Sequence, residues 1–272
     1  MRKTLPQTIL AAFSAILACA TLEGGGVMLI GMRNAMLSGS GKLSAKSYVQ
    51  DGLIAMWDGI ENAGWGKHVD GSANWIDLIH EYTINKTVGG HPFKILGNAF
   101  ICTGSRVANN EAITSVDAAF FSSFNNSADY TFEALQGDVV DSSYGSITAT
   151  IGNSTNVFSR GFVLGNSTKA YIRTSHGTSW PSPECILTPG PGVWFKTTTV
   201  VNNGRIRGFV NGNELGYPTP PPEAAEVAAD RIWISRANAY KMLRLYSRAL
   251  TAAEIAANYA VDAARFNLPA AT

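Results

Sequence analysis

Hydrolysis of a glycosidic bond needs two carboxyl groups, about 5 to 5.5 Å apart in retaining enzymes, and alternate positions along one strand supply that spacing. The carboxylates of this 272-residue chain are not arranged in that way. Glu133 stands alone in its candidate strand, Asp138 and Asp141 fall in the loop after it, and Glu111 and Asp117 flank a polar stretch. No G-x-S-x-G, H-E-x-x-H or P-loop signature occurs. His68, His80, His91 and His176 are scattered singly, the pattern of hydrogen-bonded structural histidines rather than of a catalytic group. The expectation is a protein that is not an enzyme and has no catalytic residues.

Aromatic side chains offer a different chemistry. Trp65 in Ala63-Gly64-Trp65-Gly66, Trp180 in Thr178-Ser179-Trp180-Pro181, and Tyr217 before a proline run all sit among turn residues, where a ring tends to face outward. An exposed ring stacks on the C–H face of a sugar and leaves the hydroxyls free to hydrogen-bond. These three are the candidate ligand-binding residues; the bland alternative is that they cap the ends of the fold. Trp57, Trp194 and Trp233 lie in candidate strands and are expected in the core. Cys19, Cys102 and Cys185 form no metal pattern. Cys102 and Cys185 are either a bridged pair or two buried thiols.

The elements that must position such groups are clearest in residues 205–266. Arg205 to Val210 stops at Asn211-Gly212 and resumes at Asn213, a strong hairpin signal because a type I′ turn needs positive φ at both central residues. After Pro218 to Pro222, the runs Arg231 to Ser235 and Met242 to Ser247 place apolar residues at period two. A helix follows, with Thr251 as N-cap, Glu254 completing a capping box and Leu250 placed to staple against Ile255. Its expected buried stripe is Ile255, Tyr259, Ala263 and Phe266.

Phe209-Val210-Asn211-Gly212, a strand, a loop, and then Leu243-Arg244-Leu245-Tyr246-Ser247-Arg248-Ala249-Leu250-Thr251-Ala252-Ala253-Glu254-Ile255 resemble the closing segment of concanavalin A-like (laminin G-like) jelly-roll domains. Gly52 to Trp57 resembles their opening strand, Asp129 to Ala134 a central strand, and Val193 to Lys196 the strand entering the hairpin. Asn211 stands where that family usually has aspartate, and asparagine serves the turn equally well. The resemblance implies an all-β fold, a two-sheet antiparallel jelly-roll sandwich with a short C-terminal helix. Relatives of that fold often bind calcium through loop carboxylates and carbonyls; Asp70, Asp77, Asp117 and Asp138 are available, but no spacing selects among them, so no calcium ligands are assigned. No other cofactor is expected.

Twenty-one Lys and Arg against 20 Asp and Glu leave a formal charge of +1, which gives no electrostatic case for nucleic acid. Residues 1–26 carry Arg2-Lys3, a short apolar run and Ala18-Cys19-Ala20, the outline of a secretory signal cut after Ala20. Alternatively Glu23-Gly24-Gly25-Gly26 is a ribosome-binding stretch read in frame and translation begins at Val27 or Met28. Residues 27–47 form an apolar lead, too short for a membrane span, and a flexible linker. Residues 48–268 form the jelly-roll domain. The expected function is a non-catalytic binding or adhesion module, secreted or surface-exposed, recognising glycan or a surface protein. A structural or decorating component of a virus particle or appendage is the alternative, and an oligomer or assembly fits either.

Overall fold

Five consecutive β-branched residues, Thr197 to Val201, fill the middle of the strand Trp194–Asn202. Such residues suit a pleated surface packed on both sides, and this strand lies deep in a sheet, between Arg205–Val210 and Tyr130–Gly137. A computed structural model of the chain describes residues 43–61, 70–85, 87–88, 91–104, 106, 120–121, 129–140, 147–152, 160–165, 169–174, 179–186, 191–215, 231–235 and 237–269. The chain divides into two compact units, Met1–Ser47 and Tyr48–Thr272. Within the first, Ala45–Ser47 form a 3-10 turn.

Among the described residues, the second unit is an antiparallel β-sandwich of a larger and a smaller sheet, with a separate two-stranded ribbon of Asn74–Ile76 and Thr83–Asn85 and the helix Ala252–Phe266 near its C-terminal end. In the larger sheet, the order runs from Asn213–Glu214 through Arg205–Val210, Trp194–Asn202, Tyr130–Gly137, Ala239–Tyr246 and Ala99–Cys102 to His91–Leu96 and Thr87–Val88. Leu53–Asp58 pairs along the other half of Ala239–Tyr246. The smaller sheet runs Ser179–Ile186, Lys169–Thr174, Arg160–Gly165, Ile147–Gly152, Arg231–Trp233. Phe132, Ala134, Phe195, Val201, Leu243 and Leu245 of the larger sheet share one apolar core with Ala149, Ile151 and Ile232 of the smaller. The core therefore lies between the sheets, as in other sandwiches.

Period two assigns Thr131, Glu133, Lys196, Thr198, Arg244 and Tyr246 to the opposite face of the larger sheet. That face is not left to water. The helix Ala252–Phe266 lies over it, seated by an apolar cluster of Val200, Phe209, Tyr246, Leu250 and Ile255. The capping box is present in full: Thr251 accepts from the Glu254 N–H, and the Glu254 carboxylate accepts from the Thr251 N–H at 2.8 Å. Asn211 and Gly212 have φ of 50° and 83°, as their hairpin requires. A second turn of the same kind joins Trp194–Asn202 to Arg205–Val210 at Asn203-Gly204, with φ of 49° and 69°. That dipeptide carries the same sequence signal as Asn211-Gly212. The helix differs from expectation in one respect: Asn258 and Asp262 are buried beside Ile255, Tyr259 and Phe266, while Ala263 is only partly covered.

Candidate functional site

Glu133 looks isolated along the chain, yet it sits at the centre of a charged cluster between sheet and helix. Its cross-strand neighbours are Thr198 on one side and Arg244 on the other. One oxygen meets the Lys196 ammonium at 2.6 Å; the other accepts from Arg244 Nε at 2.7 Å and from Asn258 Nδ2 at 3.1 Å. Asp262, one turn after Asn258, accepts from Arg244 Nη2 at 2.7 Å, meets Lys196 at 3.1 Å and accepts from the Tyr48 hydroxyl at 2.7 Å. The Arg244 guanidinium lies 3.7 Å from the centre of the Tyr48 ring. Beyond it, Arg265 reaches Asp58 at 2.6 Å and Glu61 at 3.2 Å. The four inner side chains are all 0% exposed, two cations against two anions.

Burial and charge settle what this cluster can do. Burial pushes the Asp262 carboxyl up, but Arg244 and Lys196 outweigh it and hold it below the usual carboxylate range. Burial, helped by Asp262, pushes the Tyr48 hydroxyl well up, and Tyr246 likewise. A nucleophilic tyrosine or a carboxylic acid able to donate a proton needs the reverse shifts. With its charges paired internally and its four inner side chains unexposed, the cluster is a fastening between helix and sheet.

A second constellation is open to solvent, at the edge of the same face beyond the C-terminal end of the helix. Lys241 is the extra residue of a β-bulge, since Tyr240 and Met242 oppose the adjacent residues Gln136 and Leu135. Bulges re-aim side chains, and here the Lys241 ammonium lies 3.9 Å from the centre of the Trp194 ring. Trp194 is opposite Gly137, where a Cβ would fall 2.2 Å from the Val193 carbonyl oxygen, so only glycine permits this approach. The next residue, Asp138, donates its N–H to Val193 and accepts from Gly192 N–H at 3.0 Å. Arg106 binds the Asp138 carboxylate at 2.8 Å. Burial pushes that carboxyl up, but Arg106 and the Gly192 N–H bring it below its ordinary range. Burial pushes the Lys241 ammonium down, and Asp138 opposes it. Val140 and Val193, 45% and 42% exposed, flank this corner.

Of the residues singled out from the sequence, Trp65 and Tyr217 lie outside the described residues. Trp180 is not in a turn: it lies within the strand Ser179–Ile186, opposite Ile172, and its side chain is outside the described part. Trp57 and Trp233 are core, but Trp194 is half-buried on the outer face. Asp70 caps a turn by accepting from Gly97 N–H, and Asp77 is fully buried, accepting from Met56 and His80 N–H groups. Asp117 is outside the described residues. Among the described residues no three metal-ligating side chains converge, and no helix is long and apolar enough to cross a membrane. Cys102 is a buried free thiol; the side chains of Cys19 and Cys185 lie outside the described part.

No protein-family model and no curated protein matches the sequence. Among solved structures, the fold is similar to Trypanosoma rangeli sialidase, with a TM-score of 0.55 and 12% identity over 78% of this chain and 33% of that one. The same enzyme with the inhibitor DANA gives 0.52 and 12% over 86% and 37%. A looser likeness, TM-score 0.48 at 11% identity, covers 78% of this chain and 51% of the receptor-binding domain of botulinum neurotoxin mosaic serotype C/D. The chain thus spans about a third of the length of the sialidases it matches, and at these identities the likeness shows the fold, a β-sandwich of the jelly-roll type.

This comparison corrects the functional expectation. The expectation of a chain that binds without catalysing rests on the lack of paired carboxylates within any one strand, and its virus-particle alternative on the one-domain architecture, the short apolar lead and the alternative start at Val27 or Met28. The Trypanosoma rangeli sialidase that shares the fold is an enzyme, described with sialic acid bound and as a covalent intermediate. Carboxylate spacing along a strand is therefore no ground for setting catalysis aside, because sialidases are an exception to the paired-carboxylate scheme and use a tyrosine nucleophile.

Proposed function

We propose that this chain is a concanavalin A-like sandwich, residues 48–268, that serves the enzymatic processing of sialic-acid-bearing glycans. The observation that carries this reading is the fold: the T. rangeli sialidase structures superpose on 76–86% of the chain, several of them with sialic acid or its analogues. Glycan is the partner, met outside the cell or at its surface. The glycan surface is sought on the open corner, since the inner charged cluster is closed to any ligand.

The test is direct. Purified chain is incubated with sialyllactose and with lactose, binding is followed by saturation-transfer NMR, and released sialic acid is quantified. The expected result is engagement of sialyllactose in preference to lactose, with release of sialic acid by the chain. The absence of both preferential binding and release would overturn the reading.

A further inference from the structure

We propose that the corner built by Trp194, Lys241, Val140 and Val193 is the subsite for the carboxylate-bearing sugar of such a glycan. The inference rests on the sialoglycan reading above and goes beyond it by naming the atoms that distinguish an acidic sugar from a neutral one.

Three features support it. The first is charge. Asp138 is satisfied by Arg106 at 2.8 Å and by the Gly192 N–H, whereas the Lys241 ammonium has no carboxylate within ion-pair distance among the described residues. Among the described residues, Arg106 and Lys241 stand against the single carboxylate Asp138 at this corner. In the inner cluster, by contrast, Lys196 and Arg244 are balanced by Glu133 and Asp262. The second feature is placement. The bulge at Lys241 interrupts the ladder with Tyr130–Gly137 and lays the side chain over an aromatic ring, and the Gly59 N–H holds the Lys241 carbonyl at 2.9 Å. The third is surface. Val193, next to Trp194 in the chain, and Val140, two residues after Asp138, are two of only four large apolar side chains that are exposed among the described residues, and exposed apolar surface suits the C–H face of a sugar. A purely structural cation–π pair would need neither the second cation nor the apolar flank.

Sialyllactose and lactose are titrated against the whole chain and against Lys241→Met, Lys241→Arg and Trp194→Phe, with thermal unfolding recorded for each. In the wild type, sialyllactose should bind about tenfold more tightly than lactose. Lys241→Met should abolish that preference, and Lys241→Arg should retain it. Trp194→Phe should weaken both sugars together. Raising salt from about 50 to about 500 mM should erode the wild-type preference and leave Lys241→Met unaffected. A wild type that prefers sialyllactose and a Lys241→Met variant that keeps the preference would overturn this subsite while the proposed function stands. Wild-type chain that neither binds nor cleaves sialyllactose would overturn both.

Discussion

Arg244 is engaged at each guanidinium nitrogen: Nε by Glu133, Nη1 and Nη2 by Asp262, with its flat face on the Tyr48 ring. Transferring such a cation from water is expensive, and it is tolerated only because two carboxylates meet it with good geometry. Glu133→Ala removes one of them and leaves Lys196 and Arg244 facing Asp262 alone. The expected loss is about 3–5 kcal/mol in urea denaturation. Replacing Glu133, Lys196, Arg244 and Asp262 together by leucine and methionine should cost far less, because no uncompensated charge remains. Equal destabilisation by the single and the fourfold variant would contradict this account. The sequence hid the arrangement for a simple reason. Glu133 finds Arg244 across 111 residues, and the alternation Thr131, Glu133 along Tyr130–Gly137 reads as a solvent face when it is a second buried one. Gly212 is the opposite case, legible from Asn-Gly alone. Its φ of 83° disfavours a side chain, and a Cβ there would lie 3.1 Å from the Tyr259 Cβ. Gly212→Val should therefore cost on the order of 1 kcal/mol or more by thermal denaturation.

At the scale of elements, what was legible is what is local. The capping box spans Thr251 to Glu254, and the staple Leu250 to Ile255, so a few adjacent residues contain the whole signal. The two Asn-Gly turns are equally self-contained. Strand partners are not: Tyr130–Gly137 pairs with Trp194–Asn202 and Ala239–Tyr246, neither of which adjoins it in sequence. The corner at Lys241 was missed because a bulge leaves no signature in one strand read alone. The helix depends on its cap as well as on its buried face. Glu254 also accepts from Arg248 at 2.6 Å, which, with the Thr251 N–H and hydroxyl, outweighs burial and lowers its carboxyl. Thr251→Ala removes the acceptor of the Glu254 N–H and should destabilise the protein by about 1 kcal/mol. A change within a few tenths would show that tertiary packing alone holds the helix in place.

For the molecule as a whole, the ionisable groups give its stability a direction in pH. Asp262, Asp138 and Glu254 have native carboxyls held below the unfolded values, so the unfolded chain binds more protons than the native one as these groups titrate. Their contribution is complete above the unfolded values of about 4 and is lost as pH falls through the native ones. Asp77 acts in the opposite sense: burial raises its native carboxyl, so stability is lost as pH climbs from about 4 toward that raised value. Three groups, one of them fully buried between two cations, act against one. The urea midpoint should therefore fall between about pH 6 and about pH 3, within the range where carboxylates titrate. Asp262→Asn should lower the midpoint at neutral pH and flatten its decline on acidification, because the most deeply engaged carboxylate no longer titrates. A wild-type midpoint that stays level or rises toward acid would mean that the buried ion pairs do not govern the pH response of the fold.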